Sequence, residues 1–201
     1  MSQADVAIVK TGGANIASLL VALERLNVTA TLTTDPTALN NASHVILPGV
    51  GAAEDAMQRL EALQLEEVIR SLTVPVLGIC LGMQLLAAAS EEDSAYCLGI
   101  TEDVAHRMPA ATDRPVPHIG WNDITPTVEH PLLDGIPAGS YFYFVHSYAL
   151  PEATTTIATA EYGAPFAAVM AANNFYGTQF HPERSADVGQ RLLANFLALP
   201  A

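Results

Sequence analysis

Residues 74–89 read Val-Pro-Val-Leu-Gly-Ile-Cys-Leu-Gly-Met-Gln-Leu-Leu-Ala-Ala-Ala, and this stretch indicates the fold. It begins as an apolar run, turns at Cys80 between Gly78 and Gly82, and continues in strong helix formers. An abrupt strand-to-helix turn forces its central residue into a strained conformation, and glycines on both sides give the backbones room. This is the arrangement of a nucleophile elbow, with cysteine in place of serine. We therefore expect Cys80 at the carboxyl edge of a parallel sheet, where open α/β folds place their sites.

The residues before this stretch alternate apolar runs with helical patterns. Alternation of this kind predicts βαβ units and a mostly parallel sheet flanked by helices. The helical pattern over 53–71 is interrupted near Leu63. The predicted strands are 6–9, 29–33, 44–47 and 74–79, and the predicted helices are 16–26, 53–71 and 83–89.

The second half of the sequence has a different pattern. Pro, Gly and Asp punctuate residues 108–139, and short apolar runs follow. We interpret these runs as antiparallel strands added to the sheet, before a closing helix over 188–199. The sequence contains no internal repeat, low-complexity tract or linker, so we expect one domain over 1–201. The added strands are predicted at 141–145, 155–160, 166–171 and 175–180.

Composition excludes several classes of protein. No segment approaches 18 consecutive apolar residues, so a transmembrane helix is not predicted. The 21 acidic residues outnumber the 8 basic ones and give a net charge of −13, which repels nucleic acid and anionic membranes. Residues 1–10 do not resemble a secretory signal, and the two cysteines form neither a disulfide framework nor a Cys-x-x-Cys zinc motif. We expect a cytoplasmic protein without a metal.

A thiol nucleophile needs a base, and the base needs an orienting group. His181 is the best-placed histidine, because an aromatic strand leads through it into Pro-Glu, and Glu183 can lie on the same side of the extended backbone. His118 and His146 remain candidates. The positive end of the following helix favours a thiolate at Cys80. The alternative is that Cys80 is a small buried hydrophobic residue, which is how we interpret the second cysteine, in the unpatterned segment around residue 97.

The loop Pro48-Gly49-Val50-Gly51 follows the third predicted strand and so emerges at the same edge of the sheet. Bare N–H groups of such a loop can approach a substrate closely, and the loop is a natural source of a second oxyanion donor besides the Leu81 N–H. It can also be an ordinary strand-to-helix turn. It is not a phosphate loop, because the Gly-Lys-Ser/Thr ending is absent.

Two motifs together carry a family resemblance. Residues 78–84, Gly-Ile-Cys-Leu-Gly-Met-Gln, and residues 179–183, Gln-Phe-His-Pro-Glu, resemble the signature of triad (class I) glutamine amidotransferases. Within that family, further segments resemble the glutaminase subunits of imidazole glycerol phosphate synthase. Those segments are 11–18, 47–52, 117–122, 141–148 and 174–184.

This resemblance implies a flavodoxin-like fold and a heterodimer with a (β/α)₈ cyclase subunit. Glutamine would be hydrolysed through a thioester without a cofactor. The ammonia would pass to the cyclase, which makes imidazole glycerol phosphate and an aminoimidazole carboxamide ribonucleotide in histidine biosynthesis. The implied catalytic residues are Cys80 as nucleophile, His181 as base and Glu183 as its orienting acid. The implied glutamine-binding residues are Gly49, Val50, Gly51, Leu81, Gln84 and Ser147. Near the subunit interface or the substrate the resemblance places His118, Trp121, Asn122, Tyr143 and Arg184.

Three alternatives stay open at this point. The first is a triad glutaminase that serves a different synthase, such as one for anthranilate, carbamoyl phosphate or guanylate. The second is a cysteine peptidase or stress protein of the same superfamily, which would not need Gln84. The third is a non-catalytic binding module on the same fold, against which the presence of Cys80, His181 and Glu183 argues.

Overall fold

The computed structural model of the chain describes residues 5–11, 16–112 and 114–200. Residues 12–15, which belong to one of the segments that carry the family resemblance, lie outside these ranges, as do the ends of the predicted domain 1–201. In the described part, strands alternate with helices up to Cys80, and strands dominate after it.

The first half follows the sequence pattern closely. The strands at 6–9, 44–49 and 76–80 are buried at every residue, which explains their continuous apolar runs. The predicted interruption near Leu63 is confirmed, because Gln64 adopts a φ of 56° that no α-helix accepts. The elements are β1 (Val6–Val9), α1 (Ile16–Arg25), β2 (Ala30–Thr33), α2 (Pro36–Asn41), β3 (His44–Gly49), α3 (Ala53–Ala62), α4 (Glu66–Ser71) and β4 (Val76–Cys80).

The second half contains short helices and many strands. Three 3-10 helices lie at Glu92–Ser94, Pro131–Leu133 and Pro182–Arg184. The other elements are α5 (Leu81–Gln84), β5 (Ala89–Ser90), β6 (Ala95–Tyr96), β7 (Val104–Arg107), β8 (His118–Pro126), β9 (Ser140–His146), β10 (Tyr148–Ala149), β11 (Thr156–Glu161), β12 (Pro165–Ala172), β13 (Phe175–Thr178) and α6 (Ala186–Leu197).

Nine strands form the main sheet in the order β2-β1-β3-β4-β13-β12-β11-β8-β9. The five strands from β2 to β13 pair in parallel, and the pairs from β13 to β9 are antiparallel. The predicted fold class, a mostly parallel α/β sheet with antiparallel strands added in the second half, is confirmed. A smaller sheet, in the order β10-β7-β5-β6, lies beside it.

The prediction that residues 175–180 form only an antiparallel addition is wrong. Strand β13 pairs antiparallel with β12 but parallel with β4, with Thr178 opposite Ile79. It is therefore a central strand of the parallel part. The chain leaves β13 at the same edge of the sheet where β4 ends at Cys80, and this placement brings the sequence after Thr178 to the elbow.

The predicted helix over 83–89 is also wrong in its bounds. Helix α5 begins at Leu81 and ends at Gln84. The carbonyl groups of Leu85 and Ala87 accept hydrogen bonds from Leu98 and Gly99, and Ala88 N–H donates to the Asp103 carbonyl. Tertiary pairing therefore takes the backbone groups that a longer helix would use, and it overrides the helix propensity of the Leu-Leu-Ala-Ala run.

The hydrophobic core has two layers, one on each face of the main sheet. Alternate residues of β1 divide between them, because Ile8 packs in one layer and Ala7 and Val9 pack in the other. Helix α1 contributes Leu19 and Leu23 to the first layer. Within the described ranges, none of the helices has the length and apolar character that crossing a membrane requires.

Candidate active site

Cys80 is the last residue of β4 and stands on the predicted elbow. Its φ of 55° and ψ of −112° lie outside the regions that non-glycine residues favour. A Cβ atom on Gly82 would lie 1.8 Å from the Leu47 carbonyl oxygen, and one on Gly78 would lie 2.5 Å from the Gly82 oxygen. Only glycine allows strands β3 and β4 to approach the first turn of α5 this closely. The predicted strained turn and the need for both glycines are confirmed.

The sulfur of Cys80 lies in a buried polar environment. The thiol donates to the Val145 carbonyl oxygen at 3.7 Å, and Gln179 Nε2 donates to Sγ at 3.9 Å. The side chain is 7% exposed, so only a small part of it faces the adjacent cavity. The helix that follows Cys80 has a single turn, so its dipole contributes less at the sulfur than a long helix would.

His181 and Glu183 lie beside the elbow. The Nδ1 of His181 is 2.8 Å from Glu183 Oε1, which leaves Nε2 as the ring nitrogen that can interact with Cys80. Burial lowers the pKa of His181, but its interactions with Cys80 and Glu183 outweigh burial and raise the pKa to about 10. The three side chains therefore form a connected set in which the imidazolium form is stabilised.

Ser185 holds the His181 segment against strand β9. Its Oγ donates to the His181 carbonyl at 2.6 Å and accepts from the Tyr143 N–H at 3.0 Å. The His181 N–H in turn donates to the Tyr143 carbonyl at 2.9 Å. The histidine is thus fixed from β9 as well as from the end of β13, and sequence reasoning did not identify Ser185.

A cavity of about 290 Å³ opens in front of Cys80 and His181. Five of the six expected glutamine-binding residues line it. Gly49 does not, because its backbone packs against α5, where an added Cβ would lie 2.6 Å from Gly82 N. The lining consists of Val50, Gly51, Cys80, Leu81, Gln84, Glu92, Pro117, Val145, His146, Ser147, Tyr148 and His181.

Glu92 is a carboxylate in this cavity that sequence reasoning missed. It lies on the 3-10 helix Glu92–Ser94, and its Oε2 accepts the Ala53 N–H at 3.0 Å. Burial raises the pKa of Glu92, and the hydrogen bond from Ala53 opposes that rise. No local pattern distinguishes Glu92 from its acidic neighbours Glu91 and Asp93, so only the tertiary structure identifies it.

Gln84 lines the cavity, and a second buried amide, that of Gln179, holds it from behind. Gln84 Nε2 donates to the Tyr148 carbonyl at 2.8 Å and to Gln179 Oε1 at 3.0 Å. Because both Gln84 N–H groups are used, Oε1 is the polar atom that Gln84 offers to a ligand. Gln179 is fully buried between Gln84 and Cys80. Sequence reasoning did not name it as a site residue, although its position in the Gln-Phe-His-Pro-Glu motif could have indicated it.

The residues expected near a subunit interface or the substrate divide between the two faces of the paired strands β8 and β9. Trp121 is 53% exposed, and its ring contacts the ring of Tyr143, over which the Arg184 guanidinium lies at 4.6 Å. On the opposite face, His118 is 3% exposed, and Asn122 donates to the Glu161 carbonyl at 2.9 Å. The His118 ring is packed inside the protein, and its place near the subunit interface or the substrate stays a prediction.

In the part of the chain that the structure describes, no group of three or more His, Cys, Asp or Glu side chains is placed to hold a metal ion. The polar side chains that line the cavity are instead one thiol, two imidazoles, one carboxylate, one amide and the hydroxyls of Ser147 and Tyr148. This set suits nucleophilic attack on a carbonyl, with proton transfer by the His181 imidazole.

The chain is similar to known proteins over nearly its whole length. The family model for class-I glutamine amidotransferases matches residues 8–199. The chain is 47% identical over 204 residues to the imidazole glycerol phosphate synthase subunit HisH of Photobacterium profundum, with 96% of the chain and 97% of the relative covered. It is 49% identical over 195 residues to the HisH subunit of Xanthomonas euvesicatoria, with 97% and 98% covered.

A solved structure of a glutamine amidotransferase superposes with a TM-score of 0.74 at 20% identity, covering 96% of each chain, which supports the fold. The long matches to HisH subunits go further, because they span nearly all of both proteins. The chain therefore belongs to the class-I glutamine amidotransferases and, within them, to the HisH subunits of imidazole glycerol phosphate synthase.

Proposed function

We propose that Cys80, His181 and Glu183 carry out the glutamine hydrolysis that this family performs, in a single domain over 1–201. The observation that carries the proposal is the strained elbow of Cys80 beside the His181–Glu183 pair, which is joined at 2.8 Å and opens on a cavity of about 290 Å³. A volume of this order suits a ligand of the size of glutamine.

The reaction proceeds in two steps through a thioester. The Cys80 sulfur attacks the side-chain amide carbon of glutamine, and His181 gives its proton to the departing ammonia. Water then attacks the thioester, with His181 as base, to release glutamate and the thiol. The Leu81 N–H and an N–H of the Val50–Gly51 loop hold the oxyanion in both steps. Each such donor contributes about 3 kcal/mol in comparable hydrolases.

Polar side chains of the cavity bind the charged and polar groups of glutamine. The Glu92 carboxylate lies in the cavity and attracts the α-ammonium group, and Gln84 Oε1 accepts a further N–H. Ser147 lines the same wall. A peptidase would need an open groove for a chain on both sides of the scissile bond, whereas a carboxylate within a small cavity favours a free amino acid.

The partner in this proposal is the (β/α)₈ cyclase subunit, which docks on the face formed by Trp121, Tyr143 and Arg184. Strand β9 connects this face to the site, because Tyr143 lies two residues before Val145, whose carbonyl contacts Cys80. Free ammonia is protonated in bulk water, so a docked synthase must receive it directly. We place the reaction in the cytoplasm, since Cys80 and Cys97 are both free thiols, which suits a reducing compartment.

The test is glutamate release from glutamine by the purified chain, alone and mixed with the cyclase subunit and its ribonucleotide ligand. We expect a large rise on mixing that disappears in Cys80→Ala and persists in Cys97→Ala, the matched change at the other buried cysteine. Equal activity with and without the cyclase would keep the glutaminase and reject this partner. Activity that survives in Cys80→Ala would reject the proposed nucleophile, and no activity in any mixture would favour a binding module.

The docking face has its own test. Trp121→Ala should weaken binding of the cyclase by about 2 kcal/mol or more, because central aromatic residues dominate interfaces. Tyr96→Ala is the matched control, since Tyr96 is 87% exposed and lies on the small sheet. Isothermal titration calorimetry with the cyclase measures the affinity of both variants. If the two variants bound the cyclase with equal affinity, the interface would have to lie on a different surface.

A further inference from the structure

Two buried imidazoles play no part in the mechanism above: His146, which lines the cavity, and His118, which lies behind it. His118 Nδ1 and His146 Nε2 are 3.1 Å apart, and His146 Nδ1 is 2.9 Å from the Tyr148 carbonyl oxygen. The His118 ring stacks between Tyr162, at 4.0 Å, and Phe144, at 5.1 Å. The two histidines therefore form a packed pair that ends on a backbone carbonyl of the cavity wall.

The carbonyl fixes the proton positions of both rings. A carbonyl oxygen only accepts hydrogen bonds, so His146 Nδ1 carries a proton. Burial lowers the pKa of His146 to about 3, and the hydrogen bond to Tyr148 opposes this. Burial also lowers the pKa of His118 to about 4, so both rings are neutral at pH 7. His146 Nε2 is then bare and accepts from His118 Nδ1, which makes both residues Nδ1–H tautomers.

The same carbonyl also binds the substrate-facing amide. The Tyr148 oxygen accepts from His146 Nδ1 at 2.9 Å and from Gln84 Nε2 at 2.8 Å, which uses both of its lone pairs. The Gln84 amide is oriented by this bond, because only its nitrogen can face a carbonyl. The hydrogen bond from His146 to the residue two positions later also braces the turn that carries Ser147.

We propose that His146, backed by His118, is a positioning residue for glutamine binding: it fixes the Tyr148 carbonyl, which orients Gln84 so that Oε1 faces the substrate. This inference rests on the proposed function, because it concerns the same cavity. It assigns no chemical step to either imidazole. Their contribution lies in binding glutamine, so it should change KM more than kcat.

The first test is the kinetics of His146→Leu and His146→Asn in the mixture with the cyclase. The Leu variant removes the donor to Tyr148, and we expect KM for glutamine to rise about tenfold with kcat changed by less than about threefold. The Asn variant should restore most of the KM, because its amide nitrogen lies near the position of Nδ1. The matched control is His130→Leu, which removes an imidazole that accepts the Leu132 N–H outside the cavity. It should leave KM unchanged.

A double-mutant cycle with Gln84→Ala decides whether His146 acts through Gln84. In the Gln84→Ala background, His146→Leu should raise KM no further. Additive effects would overturn the proposal, because they would mean that His146 meets the substrate independently. An unchanged KM in His146→Leu would overturn it as well. Failure of the proposed function would appear differently, as an absence of Cys80-dependent hydrolysis in the unaltered chain.

Imidazole ¹⁵N spectra test the same proposal without activity. At pH 7 we expect His118 and His146 to give the shifts of neutral Nδ1–H tautomers, whereas free histidine prefers Nε2–H. His146→Asn should leave the Gln84 side-chain amide resonances near their original positions, and His146→Leu should shift them. Nε2–H or charged forms at both histidines would overturn the assignment.

Discussion

The two halves of the sheet meet at the active site, and they hold their residues in different ways. In the parallel half, Cys80 is fixed by backbone contacts between Gly78, Gly82 and the Leu47 carbonyl. In the antiparallel half, the wall is held by side chains, such as the Phe142–Phe180 stack at 4.0 Å and the hydrogen bonds of Ser185. Backbone contacts tolerate no added atom, whereas side-chain contacts can repack. We therefore expect substitutions in the parallel half to cause large losses of stability or activity, and substitutions in the antiparallel half to cause smaller, graded losses.

The largest expected effect lies at the junction of the two halves. Glu183→Gln keeps the size of the side chain but replaces the charge that orients His181 at 2.8 Å. By analogy with triads in which the orienting acid is amidated, kcat should fall about 10⁴-fold, since the imidazole loses its tautomer preference and the stabilisation of its charge. Steady-state glutamate release measures this. A loss below tenfold would mean that Glu183 does not orient the base.

The same variant has a pH signature. The pKa of His181 is raised to about 10, above its ordinary value of 6.5, so the protonated ring stabilises the folded state fully below about pH 6.5. That contribution is lost as the pH rises toward 10. In Glu183→Gln the pKa of His181 should fall, because a hydrogen bond to a charged partner is gone. The stability difference between the two proteins should therefore shrink between pH 7 and pH 10 in denaturant titrations, and a constant difference would contradict the raised pKa.

The next effect tests the parallel half alone. Gly82→Ala places a Cβ 1.8 Å from the Leu47 oxygen, and β3 and α5 must separate to accept it. We expect a loss of about 3 kcal/mol or more in the free energy of unfolding. Gly51→Ala is the control: an added Cβ meets nothing within 4 Å, and the φ of +91° costs about 1 kcal/mol. Equal losses in urea unfolding would mean that close packing does not hold the elbow.

The sequence predicted the parallel half well because its signals are local. The apolar runs of β1, β3 and β4, the break near Leu63 and the elbow at Cys80 all depend on neighbours within a few residues. His181 and Glu183 were identifiable because they stand two residues apart, although Glu183 lies on the 3-10 helix Pro182–Arg184 and not on the extended backbone that the sequence predicted. Gly49 was placed in the correct loop, but its backbone role against α5 required the packed structure.

Errors occurred where a distant segment decides the local structure. The Leu-Leu-Ala-Ala run has helix propensity, yet residues 98–103 pair with it and end α5 at Gln84. Strand β13 joins the parallel part because β4 lies beside it, which no pattern within 175–180 reveals. Glu92 reaches the cavity, and Gln179 reaches its buried place between Gln84 and Cys80, only through tertiary packing. These are also residues whose contacts come from side chains, as in the antiparallel wall.

A moderate effect is expected at Glu92. Glu92→Gln keeps the acceptor for the Ala53 N–H but removes the negative charge from the cavity. A charge-assisted hydrogen bond contributes about 2 kcal/mol, so KM for glutamine should rise roughly 30-fold with kcat nearly unchanged. Glu91→Gln is the matched control, because Glu91 is half-exposed and pairs with His106 instead. If the two variants had the same KM, Glu92 would not bind the ammonium group.

The smallest effect is expected at Ser185, and it sharpens the comparison most. Ser185→Ala leaves the partly buried Tyr143 N–H without its acceptor and frees the His181 carbonyl, so stability should fall by about 1 kcal/mol. Because Tyr143 and His181 keep the bond between His181 N–H and the Tyr143 carbonyl, kcat should fall only a few-fold. Ser71→Ala, on the exposed end of α4, controls for the loss of a hydroxyl. A fall in kcat as steep as that of Glu183→Gln would show that the wall is held as strictly as the elbow, and the distinction between the two halves would fail.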